Sequence, residues 1–112
     1  MDESEYPLEV TVAETHALVT SHPDQVHIID VREPDEREIC QLPGAEHIPM
    51  RQIPAKAANL LRDRHLLILC HHGSRSLQVT RFLRAQGFTA VSSIAGGIDA
   101  WAEEFDPAMR RY

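Results

Sequence analysis

The chain has 112 residues, 43% hydrophobic and 25% charged, the balance of one ordinary globular domain that needs no disulfide or metal to hold its core. Its formal net charge of −6 speaks against nucleic acid or an anionic membrane surface as the main partner, because either would favour a basic face. No apolar run approaches a membrane span, the start Met1-Asp2-Glu3-Ser4-Glu5 is acidic where a secretory signal is basic and then apolar, and two cysteines make no disulfide framework, so a cytoplasmic protein is expected.

In chain order, residues 1–6 read as a loose, charged lead-in to a core over about 7–105, and the tail 106–112 also reads as loose. Leu8 to Val10 suits a short edge strand. Thr11-Val12-Ala13-Glu14 has the spacing of a capping box, which predicts a helix over Val12 to Thr20. His22-Pro23-Asp24 ends it, and the β-branched stretch Val26 to Val31 predicts a second strand. The charged cluster that follows, up to Glu38, reads as a solvated turn and a short helix from Pro34. Asp30 and Arg32 are set apart from it, because they stand at the strand's carboxyl end, where open α/β sheets place their sites.

Leu42-Pro43-Gly44-Ala45 is a turn and His47-Ile48-Pro49 a short extended piece. Pro54 then opens a helix through Leu61, and Arg62 to His65 make a polar connection. Leu66 to Leu69 is a continuous apolar run, as in a strand buried on both faces of a parallel sheet. From Ser76 to Gln86 the spacing of Val79, Phe82 and Leu83 predicts a helix stopped by Gly87. Ala90 to Ile94 is another strand, Gly96-Gly97 a tight turn, and Ile98, Trp101 and Phe105 the face of a closing helix. Strands alternating with helices at this spacing predict an α/β fold with a parallel sheet and helices on both faces.

The chemistry concentrates between the apolar run and the helix that follows it. Cys70 is delivered to a strand's carboxyl end and a helix's amino end, where free N–H groups and the helix dipole stabilise negative charge on the sulfur or on an anion attached to it. Gly73 lets the backbone curl and Arg75 adds a fixed positive charge. With Arg81 and Arg84 nearby in sequence, the site is expected to be positive on a negative protein.

Three chemistries compete for that loop. Among the seven histidines, only His71 and His72 adjoin the cysteine. Three consecutive ligands make poor chelate spacing, and no second ligand pair exists, so no metal is expected. A protease-like arrangement needs a base and an orienting third group that nothing in the chain selects. Cysteine phosphatases and arsenate reductases close a longer Cys-x5-Arg ring around a tetrahedral anion, whereas four residues separate Cys70 from Arg75. The shorter ring fits a single extra sulfur on the cysteine better than a phosphoryl group.

Four stretches, Asp30-Val31-Arg32-Glu33, Pro43-Gly44-Ala45-Glu46-His47-Ile48-Pro49, Cys70-His71-His72-Gly73-Ser74-Arg75-Ser76 and Ala95-Gly96-Gly97-Ile98-Asp99-Ala100-Trp101, occur in an order that resembles a single-domain rhodanese. The resemblance implies a single rhodanese-like domain over residues 1–112, with a five-stranded parallel sheet and the nucleophile in the loop after the fourth strand. It implies that Cys70 takes the outer sulfur of thiosulfate or another sulfane donor and passes it, as a persulfide, to cyanide, a thiol or a protein acceptor, with no cofactor. His71, His72, Gly73, Ser74 and Arg75 would bind substrate, Arg75 closing the cradle on the anionic donor, and Asp30 would brace the loop from the neighbouring strand. Many rhodaneses carry Gly-His where this chain has Cys40-Gln41, and Cys40 reads as a structural thiol rather than a second reactive one. A non-catalytic interaction module on the same fold is the rival from another class.

Overall fold

Connections long enough to carry the chain back to the starting edge make parallel pairing the natural outcome of this sequence. In the computed structural model, which describes residues 6–112, β1 (Glu9–Val10), β2 (Val26–Asp30), β3 (Glu46–His47), β4 (His65–Leu69) and β5 (Val91–Ile94) form one sheet in the order β1-β5-β4-β2-β3. Every pairing is parallel. The apolar run becomes the central strand: β4 is in register with all of β2 on one side and with Val91 to Ser93 on the other.

Alternation along β4 divides the core. Leu66, Ile68 and Cys70 pack on one face with Ile53, Val79 and Leu83, while Leu67 and Leu69 pack on the other with Val12, Ile94, Ile98 and Trp101. Leu66, Leu67, Ile68 and Leu69 are all fully buried, each contributing about 1.5–3 kcal/mol by leaving water. Helices α3 (Ile53–Lys56) and α4 (Ser74–Ala85) cover the first face, and α1 (Val12–Ser21) and α5 (Gly97–Phe105) the second. This is the parallel α/β sheet with helices on both faces that the strand–helix spacing predicts, with the five strands that the rhodanese resemblance implies. Helix α2 (Pro34–Ile39) buries none of its residues and follows the carboxyl end of β2.

The capping box opens α1 as expected, with Glu14 N–H donating to Thr11 Oγ1 at 3.0 Å and Thr11 N–H donating to Glu14 Oε1 at 2.8 Å. Two helices differ from expectation. Helix α4 starts at Ser74 rather than Ser76, because Gly73, at φ +113°, turns the chain directly from the loop into the helix. The helix expected from Pro54 to Leu61 is instead the short α3, preceded by a 3-10 turn (Met50–Gln52) and followed by a second one (Ala57–Asn59). Short-range bonds from Gln52 N–H to Pro49 O and from Leu60 N–H to Ala57 O tighten both ends.

The expected lead-in over residues 1–5 lies outside the described residues. The tail from Asp106 has no helix or strand, yet it is tied back rather than loose. Met109 N–H donates to Asp106 O, and the Arg111 guanidinium donates to Asp99 at 2.9 and 3.0 Å. The Tyr112 ring stacks on His71 with centroids 3.8 Å apart. A charged fork and a flat aromatic supply anchors that no periodic pattern announces.

Candidate active site

Cys70 follows the last residue of β4 and is 1% exposed. Its Sγ accepts from Gly73 N–H at 3.0 Å and Ser76 N–H at 3.3 Å, and lies 3.3 Å from Ser76 Oγ. Ser76 Oγ is in turn 2.7 Å from Ser93 Oγ on β5, and both serines are fully buried. As a thiol, Cys70 donates to Ser76 Oγ; on a thiolate, Ser93 donating to Ser76 and Ser76 donating to the sulfur would bring three donors to one atom at the amino end of α4. Backbone N–H groups at a helix amino end are donors of the kind that accommodate an anion.

The outer side of the loop is held by α5. Ile98 N–H donates to Cys70 O at 2.9 Å, and Asp99 N–H donates to His71 O at 3.2 Å. These bonds need Gly97, at φ +61°, because a Cβ there would sit 2.5 Å from Cys70 O. The Gly96-Gly97 pair is therefore the step by which α5 reaches the loop, and Gly97 is already the first residue of the helix.

Arg75 does not stand free at the mouth. Its guanidinium donates to both oxygens of Glu36, Nη1 to Oε1 at 2.6 Å and Nη2 to Oε2 at 2.8 Å. That bond raises the pKa of Arg75 above its ordinary value. It also holds the Glu36 carboxyl down at about 2, with the Glu33 N–H and the Tyr112 hydroxyl acting in the same sense against burial. The positive cluster expected around Cys70 does not form. Arg84 turns away from it, donating to Val91 O and Tyr6 O, and Arg81 is exposed on α4.

Asp30 lies beside Leu69 in the β2–β4 register, but its carboxylate bonds Arg32, through the guanidinium at 2.8 to 3.2 Å and the backbone N–H at 3.1 Å. The fully buried Arg32 also donates to Cys40 O at 2.8 Å, Glu36 O at 3.2 Å and the Tyr112 hydroxyl at 3.1 Å. Burial opposes its charge, and the bonds to Asp30 and then Tyr112 more than offset this, so its pKa is raised. Asp30 thus reaches the loop at several removes: it holds Arg32, Arg32 holds α2, and Glu36 of α2 holds Arg75.

The remaining predicted residues separate. Gly73 supplies an N–H to the sulfur, while Ser74 and His72 are exposed. His71 lines a crevice too narrow for water with Cys40, Ile98, Asp99 and Tyr112. Burial and then the charge of His72 lower its pKa. Cys40 packs on the α1/α5 face and Cys70 on the α4 face, which separates the two thiols by the sheet. Among the described residues, no cluster of three or more His, Cys, Asp or Glu side chains is placed to hold a metal ion. No helix there is long and apolar enough to cross a membrane.

Sequence reasoning misses Glu36, Ser76, Ser93 and Tyr112. Glu36 sits inside a cluster that reads as solvated. Ser92-Ser93 in the middle of a buried strand is a usable signal, since polar pairs rarely occupy such a position without a hydrogen-bonding task. Nothing in the sequence points to Tyr112.

The family model for the rhodanese-like domain matches residues 11–104. The chain belongs to the rhodanese-like domain family. It is 36% identical over 118 residues to the Arabidopsis thaliana "Rhodanese-like/PpiC domain-containing protein 12, chloroplastic", covering 100% of this chain but 40% of that protein. It is 38% identical over 84 residues to the Bacillus subtilis "Putative sulfurtransferase YtwF", covering 75% of this chain and 81% of that one. Among solved structures it resembles the human single-domain sulfurtransferase TSTD1, with a TM-score of 0.77, 26% identity and coverage of 88% and 97%. The four stretches that carry the rhodanese resemblance meet at one edge of the sheet. They fall at the carboxyl end of β2, around β3, between β4 and α4, and from the end of β5 into α5.

Proposed function

We propose that this chain is a sulfurtransferase that carries a sulfane sulfur on Cys70 as a persulfide, taken from thiosulfate or another sulfane donor and passed to cyanide, a thiol or a protein acceptor. The observation that supports it best is the convergence of Gly73 N–H, Ser76 N–H and Ser76 Oγ on Cys70 Sγ. In the first step the thiolate attacks the donor's outer sulfur, a sulfur–sulfur bond forms, and the donor's own bond to that sulfur breaks with its electron pair leaving on sulfite or on a thiolate. The new outer sulfur stands about 2 Å beyond Sγ, where the short loop accommodates one atom and the negative charge stays within reach of the same donors. In the second step the acceptor attacks that outer sulfur and the Cys70 thiolate leaves. Gly73 and Ser76 hold the sulfur throughout, and His72, Ser74 and Arg75 form the rim that substrate passes. The two thiols, both free, suit a reducing compartment such as the cytoplasm.

The 1% exposure of Cys70 favours a second reading, a non-catalytic interaction module. Intact-protein mass decides between them. After incubation with thiosulfate or cysteine persulfide and desalting without reductant, the native chain should gain one sulfur, about 32 Da, and Cys70→Ser should gain none. Absence of the gain with both donors overturns the sulfurtransferase reading.

A further inference from the structure

Around the edge of the sheet that carries Cys70, four arginines are each matched to a carboxylate of their own. Arg32 pairs with Asp30 at 2.8 Å, Arg51 with Glu33 at 2.5 Å, Arg75 with Glu36 at 2.6 Å and Arg111 with Asp99 at 2.9 Å. The Arg75 pair, which stands at the cradle, is held from several sides. Besides the two bonds from Arg75, the Glu36 carboxylate accepts from Glu33 N–H at 2.9 Å and from the Tyr112 hydroxyl at 2.7 Å. Four donors fix one carboxylate, and that carboxylate takes both terminal nitrogens of Arg75. Glu36 takes two of the five N–H donors of Arg75 and pairs its charge, so a sulfonate would meet a guanidinium already neutralised by a partly exposed, two-point interaction, its two side chains being 32% and 15% accessible.

We propose that Glu36 is a specificity-determining positioning residue: by gripping Arg75 it cancels the positive charge at the mouth of the cradle, and so selects a thiol persulfide over the thiosulfate dianion as sulfur donor. The inference rests on the sulfurtransferase reading and narrows its substrate class. The two donors differ in where charge must sit. Thiosulfate reacting with the Cys70 thiolate gives the Cys70 persulfide anion and sulfite, so a group bearing two negative charges enters and leaves past Arg75. A thiol persulfide, protonated on its outer sulfur, reacting with the same thiolate gives the Cys70 persulfide anion and a thiol, the proton passing from the transferred sulfur to the departing one, so the reacting group neither enters nor leaves as a dianion. A neutral mouth on a chain of net charge −6 disfavours the first donor and tolerates the second.

The test is the initial rate of sulfur loading, read by intact mass over a range of donor concentrations, for native protein, Glu36→Gln and the double variant Glu36→Gln/Arg75→Gln. Glu36→Gln should raise kcat/KM for thiosulfate about tenfold, mainly through KM, and change that for cysteine persulfide less than about twofold. The double variant should lose the gain, because the freed cation is its cause. A merely structural role for Glu36 would lower both donors together. Loading by both donors with an unchanged ratio in Glu36→Gln overturns the assignment alone, and no loading of native protein by either donor overturns the sulfurtransferase reading with it. If Glu36→Gln folds poorly, native protein decides: thiosulfate loading should stay flat or rise between about 20 and 200 mM salt, and a steep fall, as for an uncancelled arginine, overturns the assignment.

Discussion

Glu36 and Arg75 stand 39 residues apart in the chain and meet through two parallel hydrogen bonds of 2.6 and 2.8 Å. The pair ties α2, which buries no residue of its own, to the first turn of α4. Removing the charge with Glu36→Gln should cost about 1–2 kcal/mol at neutral pH. The depressed pKa gives the pH dependence its sign. Glu36 is deprotonated at a lower pH when folded than when unfolded, so its contribution is fully present above about 4.5 and lost as pH falls towards about 2. Urea denaturation from pH 6 to pH 2 should show native protein losing its advantage over Glu36→Gln across that window, and parallel curves would refute the pair's role.

Gly97→Ala places a Cβ against the carbonyls of Cys70 and His71 at a backbone angle of +61°. Either α5 withdraws or the loop shifts, so the expected cost is about 3 kcal/mol. Chemical denaturation measures it. A loss below about 1 kcal/mol would mean that the α5 contact is not what holds the outer side of the loop.

Asp30→Asn leaves the fully buried Arg32 without its counter-charge, at an expected cost of about 3–5 kcal/mol. Arg32→Lys should also destabilise, because a single ammonium cannot serve Asp30, Cys40 O, Glu36 O and Tyr112 at once. Denaturation midpoints of both variants check this. A neutral Arg32→Lys would show that the fork is dispensable.

Ser76→Ala removes the hydroxyl 3.3 Å from Cys70 Sγ while keeping the N–H bond. Sulfur loading should slow about tenfold, the effect of one charge-assisted hydrogen bond. Ser93→Ala should slow it less, because Ser93 acts through Ser76. A larger effect at Ser93 than at Ser76 would reverse the proposed order of the two hydroxyls.

Tyr112→Ala uncovers the His71 ring, on which Tyr112 now stacks. Burial is the first cause of the lowered His71 pKa, so the variant's value should rise towards the ordinary one. An NMR titration of the ring protons reads it directly, and a fall would show that Tyr112 does not keep His71 dry.

The features legible in the sequence are those set by neighbours along the chain. The capping box of Thr11 and Glu14, the apolar run ending at Cys70, the glycine that turns into α4 and the alternation of strand with helix all depend on contacts within a few residues. The order of the four motifs is sufficient to point to the family. The region after α3 departs from expectation because the 3-10 turn Ala57–Asn59 carries the same alanine-rich pattern as an α-helix.

The sequence by itself determined that a parallel sheet delivers Cys70 to the amino end of a helix, since periodicity and turn chemistry are local properties of the chain. Only the tertiary structure decided what surrounds that sulfur. Ser93 reaches it through Ser76 because β5 lies beside β4 in the sheet. Arg75 is paired with Glu36 because α2 lands beside α4, and His71 is covered because the tail returns to it. Charges act through space at a few ångströms, so whether an arginine is free or cancelled depends on which distant elements the fold brings together.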